Sequence, residues 1–268
     1  MRASGRPRTR RSHLALAAVA IAVALVCAVA AWRPWGVPSA PVAGADAAPA
    51  APAPLALPDN PHVLVFGDSW VYGSAATVPT LGFAYVISEA LGWDAIVDGV
   101  RGSGYLKPGI DGPSYGERIA ALDPALDPDL VIVEGSINDR RLHPDGYRAA
   151  VTAAWDDLAA LYPDARIVIL GPAPQVLPVE RATARIDADL ADLATARGWW
   201  YISPLAEDWI VAANYLDVID TTDIGRDHPS TAGHAYLAER LAAALAGLSG
   251  VGEVSAEAPL RVESAPQR

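Results

Sequence analysis

A serine closes the first strongly apolar run of the foldable part of the chain, Val63-Leu64-Val65-Phe66, within the sequence Phe66-Gly67-Asp68-Ser69-Trp70. A hydroxyl at the carboxyl end of a parallel strand stands where open α/β sheets place their chemistry, and the glycine lets the backbone turn sharply off the strand. Gly-Asp-Ser is also an ordinary turn former, so the serine gains weight only from its company. That company is His228, in the turn Asp227-His228-Pro229-Ser230 before the last helical segment, together with Asn138 and Gly102, each following a strand candidate. Attack on an ester carbonyl needs a nucleophile, a base for its proton and donors aimed at the developing oxyanion. Ser69 supplies the first and, through its own N–H, one of the donors. A neutral imidazole titrates near working pH, which makes His228 the candidate base. The amide of Asn138 and the N–H of Gly102 are the other candidate donors, with Gly104 close enough to replace Gly102.

The four segments Gly67-Asp68-Ser69, Val100-Arg101-Gly102, Gly135-Ser136-Ile137-Asn138-Asp139 and Asp227-His228 occur in the order of the sequence blocks of the SGNH hydrolases, the GDSL-type esterases and lipases, and the chain resembles that family over about residues 62 to 248. The resemblance implies a serine esterase that forms an acyl-enzyme on Ser69, with His228 as base and then acid, an oxyanion hole of Ser69, Gly102 and Asn138, and no metal or organic cofactor. Acyl transfer to an envelope glycan, by the same acyl-enzyme, is the alternative reaction. A non-catalytic envelope-binding module on the same fold is the alternative class, suggested by one departure. The family usually carries an Asp three residues before the His, and here that position is Gly225. Asp223, five residues before His228, can return across a turn and is the favoured substitute. Asp227, directly adjacent, tends to point away, and a backbone carbonyl is the third possibility. Trp70 is placed either in the wall of an acyl pocket or in packing.

Two other patterns lose on context. Gly112-Pro113-Ser114-Tyr115-Gly116 has the Gly-X-Ser-X-Gly form but no apolar strand before it. His228 and His234 lack the spacing of a zinc site, and no cysteine assists them.

The elements that must position these residues alternate. Short, continuously apolar runs at 62–67, 94–98, 130–134, 166–170 and 199–202 predict buried parallel strands. Helical patterns cover 80–92, 115–122, 145–161, 180–197 and 231–247, the last with Leu237, Leu241 and Leu245 on one face and Ser230 or Thr231 as N-cap. The expected fold is α/β, a three-layer α/β/α sandwich around a mostly parallel five-stranded sheet of the flavodoxin-like kind.

Outside this body the chain changes character. Arg2, Arg6, Arg8, Arg10 and Arg11 precede an uncharged run from Leu14 to Trp32, which predicts a signal-anchor with the body outside the membrane, or a signal cleaved after Ala28-Val29-Ala30. Residues 1–36 form this head, residues 37–61 a Pro/Ala-rich tether, residues 62–248 the domain and residues 249–268 a disordered tail. The only cysteine, Cys27, lies in the head, so the body is expected to hold no disulfide. Formal charge is −11, and with the head's arginines set aside the body is more acidic still. Such a charge argues against nucleic acid and bare anionic lipid surfaces as partners, and favours small acyl groups on envelope glycans or soluble esters as substrates.

Overall fold

The structure, a computed structural model, describes residues 51–250. The head, residues 37–50 of the tether and residues 251–268 of the tail lie outside the described residues, and so does the Leu14–Trp32 run. Among the described residues no helix is long and apolar enough to cross a membrane.

Five parallel strands, β1 (His62–Gly67), β2 (Asp94–Gly99), β3 (Leu130–Glu134), β4 (Arg166–Leu170) and β5 (Trp200–Ile202), form one sheet in the order β2-β1-β3-β4-β5. The side chains of β1 alternate between two cores, as period two demands. Val63 and Val65 join Ile87 and Leu241 on one face, whereas Leu64 and Phe66 join Trp155 and Leu190 on the other. Both faces are therefore covered, which is why these strands read as continuous apolar runs.

In chain order the helices are α1 (Ser69–Tyr72), α2 (Phe83–Ala90), α3 (Tyr115–Ile119), α4 (Tyr147–Leu161), α5 (Arg181–Arg197), α6 (Tyr215–Val218) and α7 (Thr231–Leu248). Helices α2 and α7 cover the first face; α3, α4 and α5 cover the second. The chain leaves β1 towards β2 on one side and later returns to place β3 on the other, so the crevice beyond the carboxyl end of β1 is the topological switch point.

The tether expected to run to residue 61 is docked well before that. The Leu55 side chain is 3% exposed in the core, its N–H donates to the Leu248 carbonyl, and the Ala53 carbonyl accepts from Trp200 Nε1. The apolar side chains of Leu55 and Leu57 explain this, since each finds a place against α7 and its surroundings. A further element escaped the sequence reading: strands β6 (Ile219–Asp220) and β7 (His228–Pro229) pair as a two-residue antiparallel ribbon.

Candidate active site

Ser69 is the first residue of α1, directly beyond β1. Asp68 caps that helix, its Oδ1 accepting from the Trp70 N–H at 2.9 Å. The chain then turns out through Gly73, at φ +86°, so the serine is held on one tight turn between strand and solvent. Ser69 Oγ lies 2.9 Å from Nε2 of His228, which β7 delivers at the mouth of the same crevice. A weaker contact, 3.4 Å, joins the hydroxyl to Asp68 Oδ1.

The other ring nitrogen decides the tautomer. Nδ1 of His228 is 3.0 Å from the Gly225 carbonyl oxygen, which can only accept, so Nδ1 carries the proton and Nε2 presents its lone pair to the Ser69 hydroxyl. Asp223, the acid favoured from the sequence for this place, is exposed and makes no hydrogen bond to the ring. The carboxylate of Asp227 makes none either, its backbone N–H donating to the Asp220 carbonyl. The cause is the turn itself. Arg226 and Asp227 both adopt left-handed backbone, at φ 52° and 59°, and this folds the carbonyl of residue 225 over the imidazole. A Cβ at Gly225 would run into the Asp220 side chain and carbonyl, so the position that usually carries an Asp admits only glycine here. Burial holds the His228 pKa below its ordinary value; the Gly225 and Arg226 carbonyls oppose this, and the Arg226 charge adds to it.

Candidate oxyanion donors come from the next two strand ends. Gly102, at φ +75°, lines the cleft with Ser69, Asn138 and His228. Gly104 does not line it, and its N–H is spent on the Lys107 carbonyl at 2.9 Å. No hydrogen-bond partner of the Ser69 or Gly102 N–H is found among the described residues. Asn138 sits in the 3₁₀ turn Ile137–Arg141 after β3, with its amide donating to Asp68 Oδ2 at 2.8 Å and to the Ser103 carbonyl at 3.0 Å. It thereby clasps all three loops, and both its hydrogens are engaged before substrate arrives.

Beneath this layer lies buried polar structure that the sequence reading missed. The Asp139 carboxylate accepts from the N–H groups of Tyr105 and Leu106 and from the Ser136 hydroxyl, tying the Gly102 loop to the Asn138 turn. The Arg118 guanidinium donates to the Gly67 carbonyl, to Ser103 Oγ and to both the carbonyl and carboxylate of Asp98, and stacks 4.0 Å from the Phe66 ring centroid. Arg118 therefore ties the carboxyl ends of β1 and β2 to the loop that carries Gly102. Glu134, the last residue of β3, is 4% exposed and accepts from the Asp68 N–H. Burial and the neighbouring Asp68 charge push the Glu134 pKa well above the ordinary carboxylate range, while burial lifts Asp68 to about 6. A glutamate ending the run Leu130-Val131-Ile132-Val133 was the one legible sign of this pair.

Trp70 is 2% exposed and packs in the core, so it builds no part of the cleft wall. His234 is also internal: its Nδ1 accepts from the Phe83 N–H and its Nε2 donates to the Ser74 carbonyl. Among the described residues no cluster of His, Cys, Asp and Glu is arranged to hold a metal.

Comparison with known proteins identifies the family and the fold. Residues 65–236 match the GDSL-like Lipase/Acylhydrolase family. A "GDSL lipase Rv0518" of Mycobacterium tuberculosis is 30% identical over 198 residues, covering 68% of this chain and 80% of that protein. Among solved structures, the native aryl esterase of M. smegmatis superposes with a TM-score of 0.50 at 17% identity, over 69% of this chain and 98% of that one. The salicylyl-acyltransferase SsfX3 from a tetracycline biosynthetic pathway does so with a TM-score of 0.53 at 18% identity, over 72% and 56%. At these identities the two structures speak for the fold, and the family match with the curated relative for the lineage. The chain belongs to the GDSL-like lipase/acylhydrolase family, the SGNH hydrolases, and is an ester-hydrolysing enzyme.

Proposed function

We propose that this esterase works through a serine–histidine dyad braced by a backbone carbonyl, with its catalytic domain outside the membrane. The observation that carries the mechanism is the 2.9 Å contact between Ser69 Oγ and a His228 nitrogen whose tautomer is fixed by Gly225. Ser69 Oγ attacks the ester carbonyl carbon while its proton passes to Nε2. The oxyanion is received by the N–H groups of Ser69 and Gly102, and by an Asn138 amide hydrogen that turns from the Ser103 carbonyl. Hydrogen bonds of this kind commonly tighten only in the reacting complex. Collapse expels the alcohol with the proton from His228 and leaves the acyl group on Ser69; water then repeats the sequence and releases the acid. The missing Asp that suggested a non-catalytic module loses its force, because the Gly225 carbonyl already orients the ring.

A fluorophosphonate probe tests the activated serine. Labelling is expected on Ser69 and is expected to vanish in His228→Ala; an unlabelled wild-type protein would contradict the proposal.

The basic residues 2–11 followed by the uncharged Leu14–Trp32 support an extracytoplasmic catalytic domain. Protease added to intact cells is then expected to release the domain by cutting within residues 37–52, before the docked segment. Protein recovered from the medium with Ala31 as its first residue would decide for a cleaved signal instead.

A further inference from the structure

The cleft above Ser69 has a volume of about 620 Å³, and its charge is the reverse of the protein's. Residues 51–250 contain twelve Lys and Arg and twenty-seven Asp and Glu. Five of the twelve cations line this one cleft (Arg101, Lys107, Arg140, Arg141 and Arg226), against a single acid, Asp227. Two of the five are neutralised, Arg101 by Asp111 at 2.6 Å and Arg140 by Glu180 at 2.6 Å. The other three, Lys107, Arg141 and Arg226, have no carboxylate within ion-pair distance among the described residues.

Their placement matters as much as their number. Lys107 belongs to the loop that carries Gly102, Arg141 closes the 3₁₀ turn that carries Asn138, and Arg226 stands two residues before His228. Each unpaired cation thus rides on a segment that brings one functional group to the cleft, and all three line it with Ser69. A concave site lined by one sign of charge, between low-dielectric walls, concentrates ligands of the opposite sign. Net charge describes how the whole protein meets a distant surface; the local field of the cleft decides which ester enters it.

We propose that the cleft selects esters bearing an anionic group, a carboxylate, phosphate or sulfate, and that Lys107, Arg141 and Arg226 are its specificity determinants. The proposal rests on the Ser69–His228 reading of the site and names the substrate class for it. The anion can belong to the acyl part or to the alcohol part, and matched pairs of esters separate the two. On the alcohol side, 4-acetoxybenzoate is compared with 4-acetoxybenzamide; on the acyl side, phenyl hydrogen adipate is compared with its terminal amide. In each pair the carboxylate is replaced by a neutral group of similar size.

With the full chain at pH 7 and low ionic strength, kcat/KM for at least one carboxylate is expected to exceed that of its amide by about tenfold, and the pair that shows this tells which side carries the anion. The advantage is expected to shrink severalfold in 0.5 M NaCl, since the cations are partly solvated. It is expected to disappear in the triple variant Lys107→Gln, Arg141→Gln, Arg226→Gln, and to persist in the charge-preserving triple variant Lys107→Arg, Arg141→Lys, Arg226→Lys. Carboxylates turned over no faster than their amides by wild type, or a ratio that the Gln substitutions leave unmoved, would overturn the proposal while ester hydrolysis itself stands. Failure to turn over any of the four esters, with Ser69 unlabelled by fluorophosphonate, would overturn the catalytic reading and this one with it.

Discussion

The carbonyl oxygen of Gly225 lies 3.0 Å from Nδ1 of His228, and the same oxygen accepts the His228 backbone N–H at 3.1 Å. The backbone of the residue that replaces the usual aspartate thereby does the orienting part of its work. In the proposed mechanism it supplies no full negative charge for the imidazolium, so the dyad relies more on the oxyanion donors than a triad does.

Substitution of the nearby acids is the first consequence. Asp223→Asn and Asp227→Asn are expected to stay within a few-fold of wild-type kcat, where replacing a true triad carboxylate by its amide costs ~10⁴. Gly225→Asp, which places the missing carboxylate at its usual position, is expected to lower both activity and thermal stability because its Cβ meets Asp220. A large loss in Asp223→Asn with normal folding would return the role to that residue.

The pH profile follows from His228. Its pKa is held below the ordinary 6.5 chiefly by burial, so the neutral, base-competent ring persists further into acid than a free imidazole would. The acid limb of kcat/KM is therefore expected to have its midpoint below 6.5. A midpoint above 7 would mean that a carboxylate stabilises the imidazolium after all.

How far the sequence carried the account depends on the size of each element. The five strands were legible to within a residue or so, because a strand buried on both faces, such as Leu130–Glu134, is apolar at nearly every position. Helix α7 was equally plain, and Ser230 caps it as expected, accepting from the Gly233 N–H. Ser69, Gly102, Asn138 and His228 meet in one cleft because each follows a strand or precedes a helix that periodicity reveals. The support for His228 is left open by the sequence between Asp223, Asp227 and a backbone carbonyl. It is a carbonyl, which every residue has, placed by the left-handed turn of Arg226 and Asp227 and by a ribbon only two residues long on each side. Side-chain identity pointed to Asp223, whereas backbone conformation chose Gly225. The polar groups under the site were hidden for a similar reason, as nothing in the spacing of Arg118, Glu134 and Asp139 says that they are buried.

Acid stability tests the interior histidine. Burial lowers His234 from the ordinary 6.5 to about 4, so between those values the unfolded chain binds a proton that the folded protein refuses. Its contribution is fully present above pH 6.5, falls as pH drops towards 4, and is constant below that; the full span corresponds to about 3 kcal/mol. Urea unfolding at pH 7.5 and pH 4.5 is expected to show this loss in wild type and a smaller pH dependence in His234→Gln. Equal slopes in the two proteins would contradict the assignment.

Asn138 clasps Asp68 and Ser103 and is proposed to receive the oxyanion as well, and kinetics can separate the two roles. If its amide reaches the oxyanion, Asn138→Ala is expected to lower kcat by ~10²–10³ with little change in KM. A rise confined to KM would instead leave it with the clasp between Asp68 and Ser103 alone.

The acyl-enzyme itself is the most direct test of the central claim. Rapid quenching during turnover of a slowly deacylating ester, followed by intact mass and peptide mapping, is expected to find the acyl group on the peptide containing Ser69 of the wild-type protein. Ser69→Ala, folded to the same stability, is expected to carry no acyl group and to hydrolyse nothing above background. Turnover by Ser69→Ala at the wild-type rate, or an acyl group residing on another residue, would contradict the account.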